Sequence, residues 1–227
     1  MSRINKTKIF GVYEELARKR KIYTKNLTPG KTVYDEELVK TNDGELREWN
    51  PYKSKLGAYI MQKGVNDIFI RPGSSVLYLG IASGTSASHI SDIIGKDGMI
   101  YGIDPAFRVM IDLMFVAEER KNIAPILDDA AHPEHYKNLV PKEVDFIIQD
   151  VAQRNQSEIF IKNVDRYLKK DGFAMIAIKA KSIDIAGNSK KIFKDIRDEL
   201  EKKYTIVDSK KLEPFEKDHM MIVIKKK

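Results

Sequence analysis

Asp104, Asp129, Asp150, Lys179 and His219 stand at the ends of strand-like apolar runs, where their side chains could work together. Three of those runs, Met99 to Asp104, Val144 to Asp150 and Gly172 to Ala180, alternate with amphipathic stretches. Ligands bind at the carboxyl edge of parallel sheets, so the residues closing these runs should converge on one edge. A final strand running antiparallel to the others would begin on that edge. This places His219 beside Asp150 and Lys179, although it lies 69 and 40 residues away in the chain. Any one of these charges would pass for an ordinary loop residue; the set of an acid, an amine and an imidazole marks a functional site.

The sharpest local feature is VLYLGIASGTSASHI, Val76 to Ile90. It reads as a buried strand that breaks at Gly80-Ile81-Ala82-Ser83-Gly84 and restarts as a helix. Glycines let a backbone approach a ligand closely, and a new helix offers unpaired N–H groups to the ligand's polar end. The G-x-x-x-G spacing differs from the G-x-G-x-x-G of a dinucleotide fingerprint. It therefore disfavours a pyrophosphate and favours a nucleoside with a compact polar tail, such as S-adenosylmethionine; a plain strand-to-helix turn is the competing reading. Asp104 follows Gly80 by 24 residues, near the offset of about 20 at which an acid meets ribose hydroxyls. It could equally cap the helix opening at Pro105. Asp128, Asp129 and Ala130 close the third strand, where a carboxylate could accept from an adenine amino group or simply cap the turn.

The elements positioning these residues follow from periodicity. Strands are expected at Ser74 to Gly80, Met99 to Asp104, Ile123 to Asp128, Val144 to Asp150, Gly172 to Ala180, Thr205 to Glu213 and His219 to Lys225. Helices are expected at Thr85 to Ile94, Pro105 to Arg120, Pro133 to Leu139, Ser157 to Lys169 and Ser189 to Lys203. Glu213 to Asp218 is too short for a crossover, so the last two strands should pair as an antiparallel hairpin. Five parallel strands and a hairpin resemble the class I methyltransferase sheet, an α/β Rossmann-like fold of seven strands. Residues 1–53 read as a small β-rich N-terminal domain, with β-like stretches Lys8 to Val12, Lys21 to Asn26 and Thr32 to Val39 between turn signals. Residues 54–227 form the second domain, led by a helix from Ser54 to Gln62.

Composition narrows the class. The chain has 227 residues, no cysteine and four histidines scattered through the sequence, which excludes disulfides and thiolate chemistry and offers no metal cluster. Its longest apolar run, Phe173 to Ile178, is far short of the ~20 residues of a membrane span, and Met1 to Lys8 is too polar for a signal-peptide core. A cytoplasmic protein is expected. The net charge is +7, and residues 1–55 carry 13 basic against 8 acidic side chains. That bias favours a polyanionic partner, with a lysine-rich soluble surface as the alternative.

The stretches DGELREWNPYKSKLGA, VLYLGIASGTSASHISDIIG, IAPILDDA, IIQDVAQ, IKAKSID and LEPFEKDHMMIV resemble the fibrillarin family in order and spacing across nearly the whole chain. The absence of a Gly/Arg-rich leader before the first strand makes the archaeal form the expected one. The resemblance implies S-adenosyl-L-methionine-dependent methylation of ribose 2′-hydroxyls, with rRNA as substrate and tRNA as a second candidate. It implies a catalytic tetrad of Lys55, Asp150, Lys179 and His219. It implies cofactor contacts from Thr85, Ser86, Asp104, Pro105, Asp129, Ala130, Asp150, Val151, Ala152 and Gln153. The chain departs from the family where Asp104-Pro105 replaces the commoner Glu-Phe and Ser86 a second Thr; Phe107 could supply an aromatic surface instead.

On this reading Asp150 is the general base, Lys55 and Lys179 hold the ribose-phosphate and the developing oxyanion, and His219 orients the pair or relays the proton. Sulfonium is already a good leaving group, so the chemistry needs no metal. No base-reading motif is present. The resemblance supplies a Nop5-type scaffold, an L7Ae-type RNA-binding protein and a box C/D guide RNA as partners that would choose the target. The alternatives are a class I methyltransferase acting on a small molecule or protein, and an inactive RNA-binding scaffold.

Overall fold

The computed structural model describes residues 4–16 and 18–227. Five short strands, β1 (Ile4–Lys6), β2 (Val12–Leu16), β3 (Arg20–Lys25), β4 (Leu38–Thr41) and β5 (Gly44–Glu48), form an antiparallel sheet in the order β1-β2-β3-β5-β4. Helix α1 (Lys55–Ile60) then leads into β6 (Ser75–Leu79), α2 (Thr85–Ile94), β7 (Met99–Asp104), α3 (Phe107–Glu119), β8 (Ile123–Leu127) and β9 (Val144–Gln149). The chain continues as α4 (Gln156–Tyr167), β10 (Leu168–Lys179), α5 (Ala180–Ile183), α6 (Ser189–Glu201), β11 (Thr205–Lys211) and β12 (His219–Lys225). The second sheet runs β11-β12-β10-β9-β6-β7-β8. Its strands from β10 to β8 are parallel, while β12 runs antiparallel to both neighbours. This is the class I methyltransferase sheet.

Successive strand residues point to opposite faces, and the sequence alternates which core each fills. Val76 and Tyr78, Met175 and Ala177, and Met221 and Val223 pack in one core with α1, α2 and α3. Leu77 and Leu79, Ala174 and Ile176, and Ile222 and Ile224 pack in the other with α4 and α6. Both faces are covered, so the strands read as nearly continuous apolar runs.

Three expectations fail. Lys8 to Gly11 belongs to the turn joining β1 to β2, with only Val12 in a strand, and most of Thr32 to Val39 is irregular, with strand only from Leu38. Pro133 to Leu139 is a run of turns. There Tyr136 is buried, its hydroxyl 2.6 Å from Asn163 Oδ1, and this anchor replaces helical pairing. Strand β1, β2 beyond Val12, β5 and the single-turn α5 lie outside the expected elements, because each is too short to show periodicity.

The two sheets meet over a buried polar hub. Asp92 on α2 accepts from Leu27 N–H (2.9 Å), Thr24 Oγ1 (2.7 Å), Arg47 (3.2 Å) and Arg120 (2.6 Å). Glu36 pairs with Arg47, and all four charged groups are buried. Two guanidiniums face two carboxylates, so the charge closes without His89. That imidazole is fully buried, stacked on Trp49 with ring centroids 4.6 Å apart. Thr24 Oγ1, which also donates to Asp92, lies 2.7 Å from His89 Nδ1. Tyr34 hydroxyl lies 2.6 Å from Nε2. Burial, reinforced by Arg47 and Arg120, holds His89 well below its usual pKa of 6.5.

The folded chain therefore refuses a proton that unfolded His89 accepts, and stability must fall as pH drops through about 6.5. Urea unfolding at about pH 7.5 and about pH 5.5 should show wild type losing about 1.4 kcal/mol more than a His89→Gln variant. Equal losses would mean that His89 titrates alike in both states.

Candidate active site

β6 ends at Leu79 and the chain turns through Gly80, Ala82 and Gly84, all with positive φ (77°, 51° and 90°). Glycine was expected here to admit a ligand. At two positions the missing Cβ admits the protein itself. A Cβ on Gly80 would sit 2.4 Å from the Asp150 carbonyl oxygen, and one on Gly84 would sit 2.7 Å from Leu113 Cδ1. Asp104 braces the same turn: Oδ2 accepts from Ala82 N–H at 3.0 Å and Oδ1 from Ala106 N–H at 2.9 Å. The helix after it starts at Phe107, with Ala106 as its cap, so Asp104 sits just outside that helix. Helix α2 begins with no side-chain cap and no acid in its first turn. Its first N–H groups have no intrahelical partner, which suits a carboxylate.

Around this turn, Thr85, Val151 and Gln153 are half-buried, Pro105 and Ala152 are exposed, and Ala130 is buried. Asp129 Oδ1 accepts from Ala131 N–H (2.9 Å) and from Gln153 Nε2 (3.2 Å), tying the loop after β8 to the loop after β9. Phe107 is 67% exposed at the start of α3, available as a flat surface. A carboxylate beside β7, another beside β8 and an uncapped helix N-terminus therefore lie along one edge, as a nucleoside with an amino-acid tail requires.

Asp150, one residue beyond β9, is fixed by its N–H to Leu79 O at 2.8 Å. Lys55 Nζ reaches its two carboxylate oxygens at 2.8 and 2.9 Å. Lys55 is the first residue of α1, whose cap is Ser54. The Ser54 hydroxyl accepts from Gly57 N–H (3.1 Å) and Trp49 Nε1–H (2.9 Å), and lies 2.7 Å from Ser86 Oγ. Both Ser54 lone pairs are then occupied, so its proton goes to Ser86. Tyr78 is buried nearby; burial pushes its phenol up, with the Asp150 charge adding to the shift and the Ser86 hydroxyl working against it.

Lys179 and His219 are directly opposed on β10 and β12. Lys179 is exposed, and His219 is 7% exposed. His219 Nδ1 is 2.7 Å from Lys217 O. A carbonyl can only accept, so Nδ1 carries the proton and Nε2 is the ring nitrogen that faces outward to a proton-exchange partner. The edge thus gathers a carboxylate, an imidazole and two lysine amines, a set able to take a proton from a hydroxyl and hold an anion beside it.

Sequence reasoning missed Trp49, Ser54 and Gln156. Ser54 was readable as a helix cap; the roles of the other two depend on where strands end. It also read the histidines as scattered, whereas His132 and His135 stack at 5.0 Å with Glu134 beside them, all exposed. Asp128 takes up His135 Nδ1 at 3.2 Å.

The profile of the fibrillarin family matches residues 4–227. A fibrillarin-like rRNA/tRNA 2′-O-methyltransferase of Pyrococcus abyssi is 49% identical over 228 residues, covering 100% of both chains. Among solved structures, Aeropyrum pernix fibrillarin with natively bound S-adenosyl-L-methionine superposes with a TM-score of 0.86 at 43% identity, covering 98% of this chain and 97% of that one. A fibrillarin/Nop5p complex gives 0.85 at 37% identity, covering 96% and 99%.

The turn itself can be tested without a ligand. Gly80→Ala combines a left-handed backbone with a clash against Asp150, whereas Gly30, also at positive φ (81°), has nothing within 4 Å of a built Cβ. Denaturant unfolding should show Gly80→Ala costing about 1–3 kcal/mol more than Gly30→Ala, the usual cost of overpacking. Equal costs would show that Asp150 can move away freely.

Proposed function

The chain belongs to the fibrillarin family, and on that premise we propose that it is an S-adenosylmethionine-dependent RNA 2′-O-methyltransferase acting on rRNA and tRNA, as the names of its relatives indicate. The observation that carries this reading is the Lys55–Asp150 pair, set beside His219 and Lys179 on the edge that also bears the uncapped α2. A ribose hydroxyl loses its proton only to a positioned base, and this edge supplies one.

When bound, S-adenosylmethionine supplies an electrophilic methyl group on a sulfonium. Asp104 would hold its ribose hydroxyls and Asp129 its adenine amino group. The first turn of α2, with Thr85 and Ser86, would hold its carboxylate, while Pro105, Ala130 and the segment Val151-Ala152-Gln153 would flank the base. Asp150 takes the proton from the 2′-hydroxyl, and Lys55 keeps the carboxylate aimed. Lys179 holds the negative charge of the ribose-phosphate, and Nε2 of His219 accepts the proton onward or orients the hydroxyl.

The chain's basic charge attracts phosphate without reading bases. We therefore assign target choice to an assembly: a Nop5-type scaffold, supported by the fibrillarin/Nop5p complex of a relative, together with an L7Ae-type protein and a box C/D guide RNA. Base pairing to the guide would set the modified nucleotide. Phe107, Ile111, Met114 and Phe115 expose an apolar stripe along α3, and this is our candidate face for the scaffold. A cytoplasmic location belongs to the same proposal.

The test is to reconstitute methylation by adding guide and partners one at a time to the purified chain. Full activity should need the assembly, and Asp150→Asn within it should lower the rate by about 10²- to 10⁴-fold while cofactor titration still gives heat. Site-specific methylation by the chain alone would overturn guide dependence, and undiminished turnover by folded Asp150→Asn would place the base elsewhere.

A further inference from the structure

Lys179 sits at the end of β10, past the point where its neighbour on one side has stopped. The β9–β10 ladder runs only to Gln149 opposite Ile176, three residues short of Lys179. On the other side β12 continues, with Lys179 opposite His219 and Ala180 N–H bonded to Asp218 O at 3.1 Å. The backbone N–H and C=O of Lys179 on the β9 side have no strand to meet. Left unpaired they would be costly where buried and a source of movement where wet.

The side-chain amide of Gln156 meets both. Its Oε1 accepts from Lys179 N–H at 3.0 Å, and its Nε2 donates to Lys179 O at 3.2 Å. Gln156 is fully buried and is the first residue of α4. An amide is the neutral side-chain group that presents a donor and an acceptor side by side, so it mimics one rung of a parallel ladder. A carboxylate could serve only the N–H, and an apolar residue neither. Because Lys179 N–H must donate and its carbonyl must accept, the orientation of the Gln156 amide is fixed.

The clamp is itself anchored. Gln149, the residue before Asp150, donates from Nε2 to Gln156 O at 2.7 Å and is fully buried. Its Oε1 is the buried side-chain oxygen without a partner among the described residues, so this amide is committed to α4 at the expense of its own acceptor. A chain of amides therefore runs from the strand end that carries Asp150, through the start of α4, to the backbone that carries Lys179.

We propose that Gln156 is the positioning residue that extends the β9–β10 ladder past its end and thereby fixes Lys179 relative to Asp150, with Gln149 as its anchor. The inference rests on the functional reading above for the role of Lys179, but the positioning itself is a property of the fold. Gln156→Met keeps the volume and removes both bonds. Small displacements of a charge-holding group are costly to rate, so kcat in the reconstituted assembly should fall about tenfold. S-adenosylmethionine affinity by calorimetry should stay within about twofold, because the clamp bonds Gln156 to Lys179 and Gln149 and to none of the residues assigned to the cofactor. In a Lys179→Ala background the same substitution should cost nothing further, the non-additivity expected of residues acting through one another.

A second readout does not depend on activity. Amide hydrogen exchange at Lys179 should quicken about tenfold or more in Gln156→Met, and by less in Gln149→Met, which loosens only the anchor. If even the wild-type assembly fails to methylate, the functional reading falls while exchange still decides the positioning. Unchanged exchange at Lys179, or a kcat loss that adds in full to that of Lys179→Ala, would overturn the proposal.

Discussion

The position of Asp150 is the constraint around which the site is built. Its N–H is bonded to Leu79 O, its carbonyl lies against the bare Cα of Gly80, and its carboxylate is gripped by Lys55. The first two contacts come from β6 and the turn after it, so the loop offered to the cofactor and the residue offered to the substrate are one packed unit. An added methyl group at Gly80 would disturb both. The glycine pattern, which looks like an adaptation to a ligand, is equally an adaptation to the neighbouring strand.

Lys55 reaches Asp150 from outside the parallel sheet, and its placement depends on the N-terminal sheet. Trp49 follows β5, stacks on His89 of α2 and donates to Ser54, the cap of the helix that Lys55 opens. Beneath them Asp92 collects Arg47 and two neutral donors from the N-terminal sheet and its loop, and Arg120 from the end of α3. Such a hub is weak as a source of net stability, because its charges are desolvated, but it punishes any other docking of the two sheets by leaving a buried charge unpaired. The N-terminal sheet therefore helps to aim one of the ammonium groups as well as adding basic surface.

The parallel sheet was legible because its information is local. Helix α2 and strands β7 and β12 begin and end where the apolar runs and their bounding glycines and acids place them, and the hairpin followed from a connection too short to cross over. Edge geometry then brought Asp150, Lys179 and His219 into one region, whereas Lys55 entered only through family resemblance, since nothing about a lysine after Ser54 signals a partner 95 residues away. The N-terminal sheet was harder: its strands are short and polar, and residues such as Thr24 and Arg47 are satisfied by Asp92, far along the chain. Pro133 to Leu139 failed because Tyr136 is fixed by Asn163 on α4, a tertiary contact that overrides a local pattern. Gln156 was invisible because its role exists only where one strand stops before its neighbour.

If this edge methylates a ribose 2′-hydroxyl, the substrate atom can be removed singly. Two target RNAs would be offered to the reconstituted assembly with methyl-labelled S-adenosylmethionine, identical except that one carries 2′-deoxyribose at the guided nucleotide. Label should enter the ribose substrate, with that linkage becoming resistant to alkaline cleavage, and none should enter the deoxy substrate. Equal labelling of both RNAs would contradict it, because the methyl group would then be going to a base or to another position.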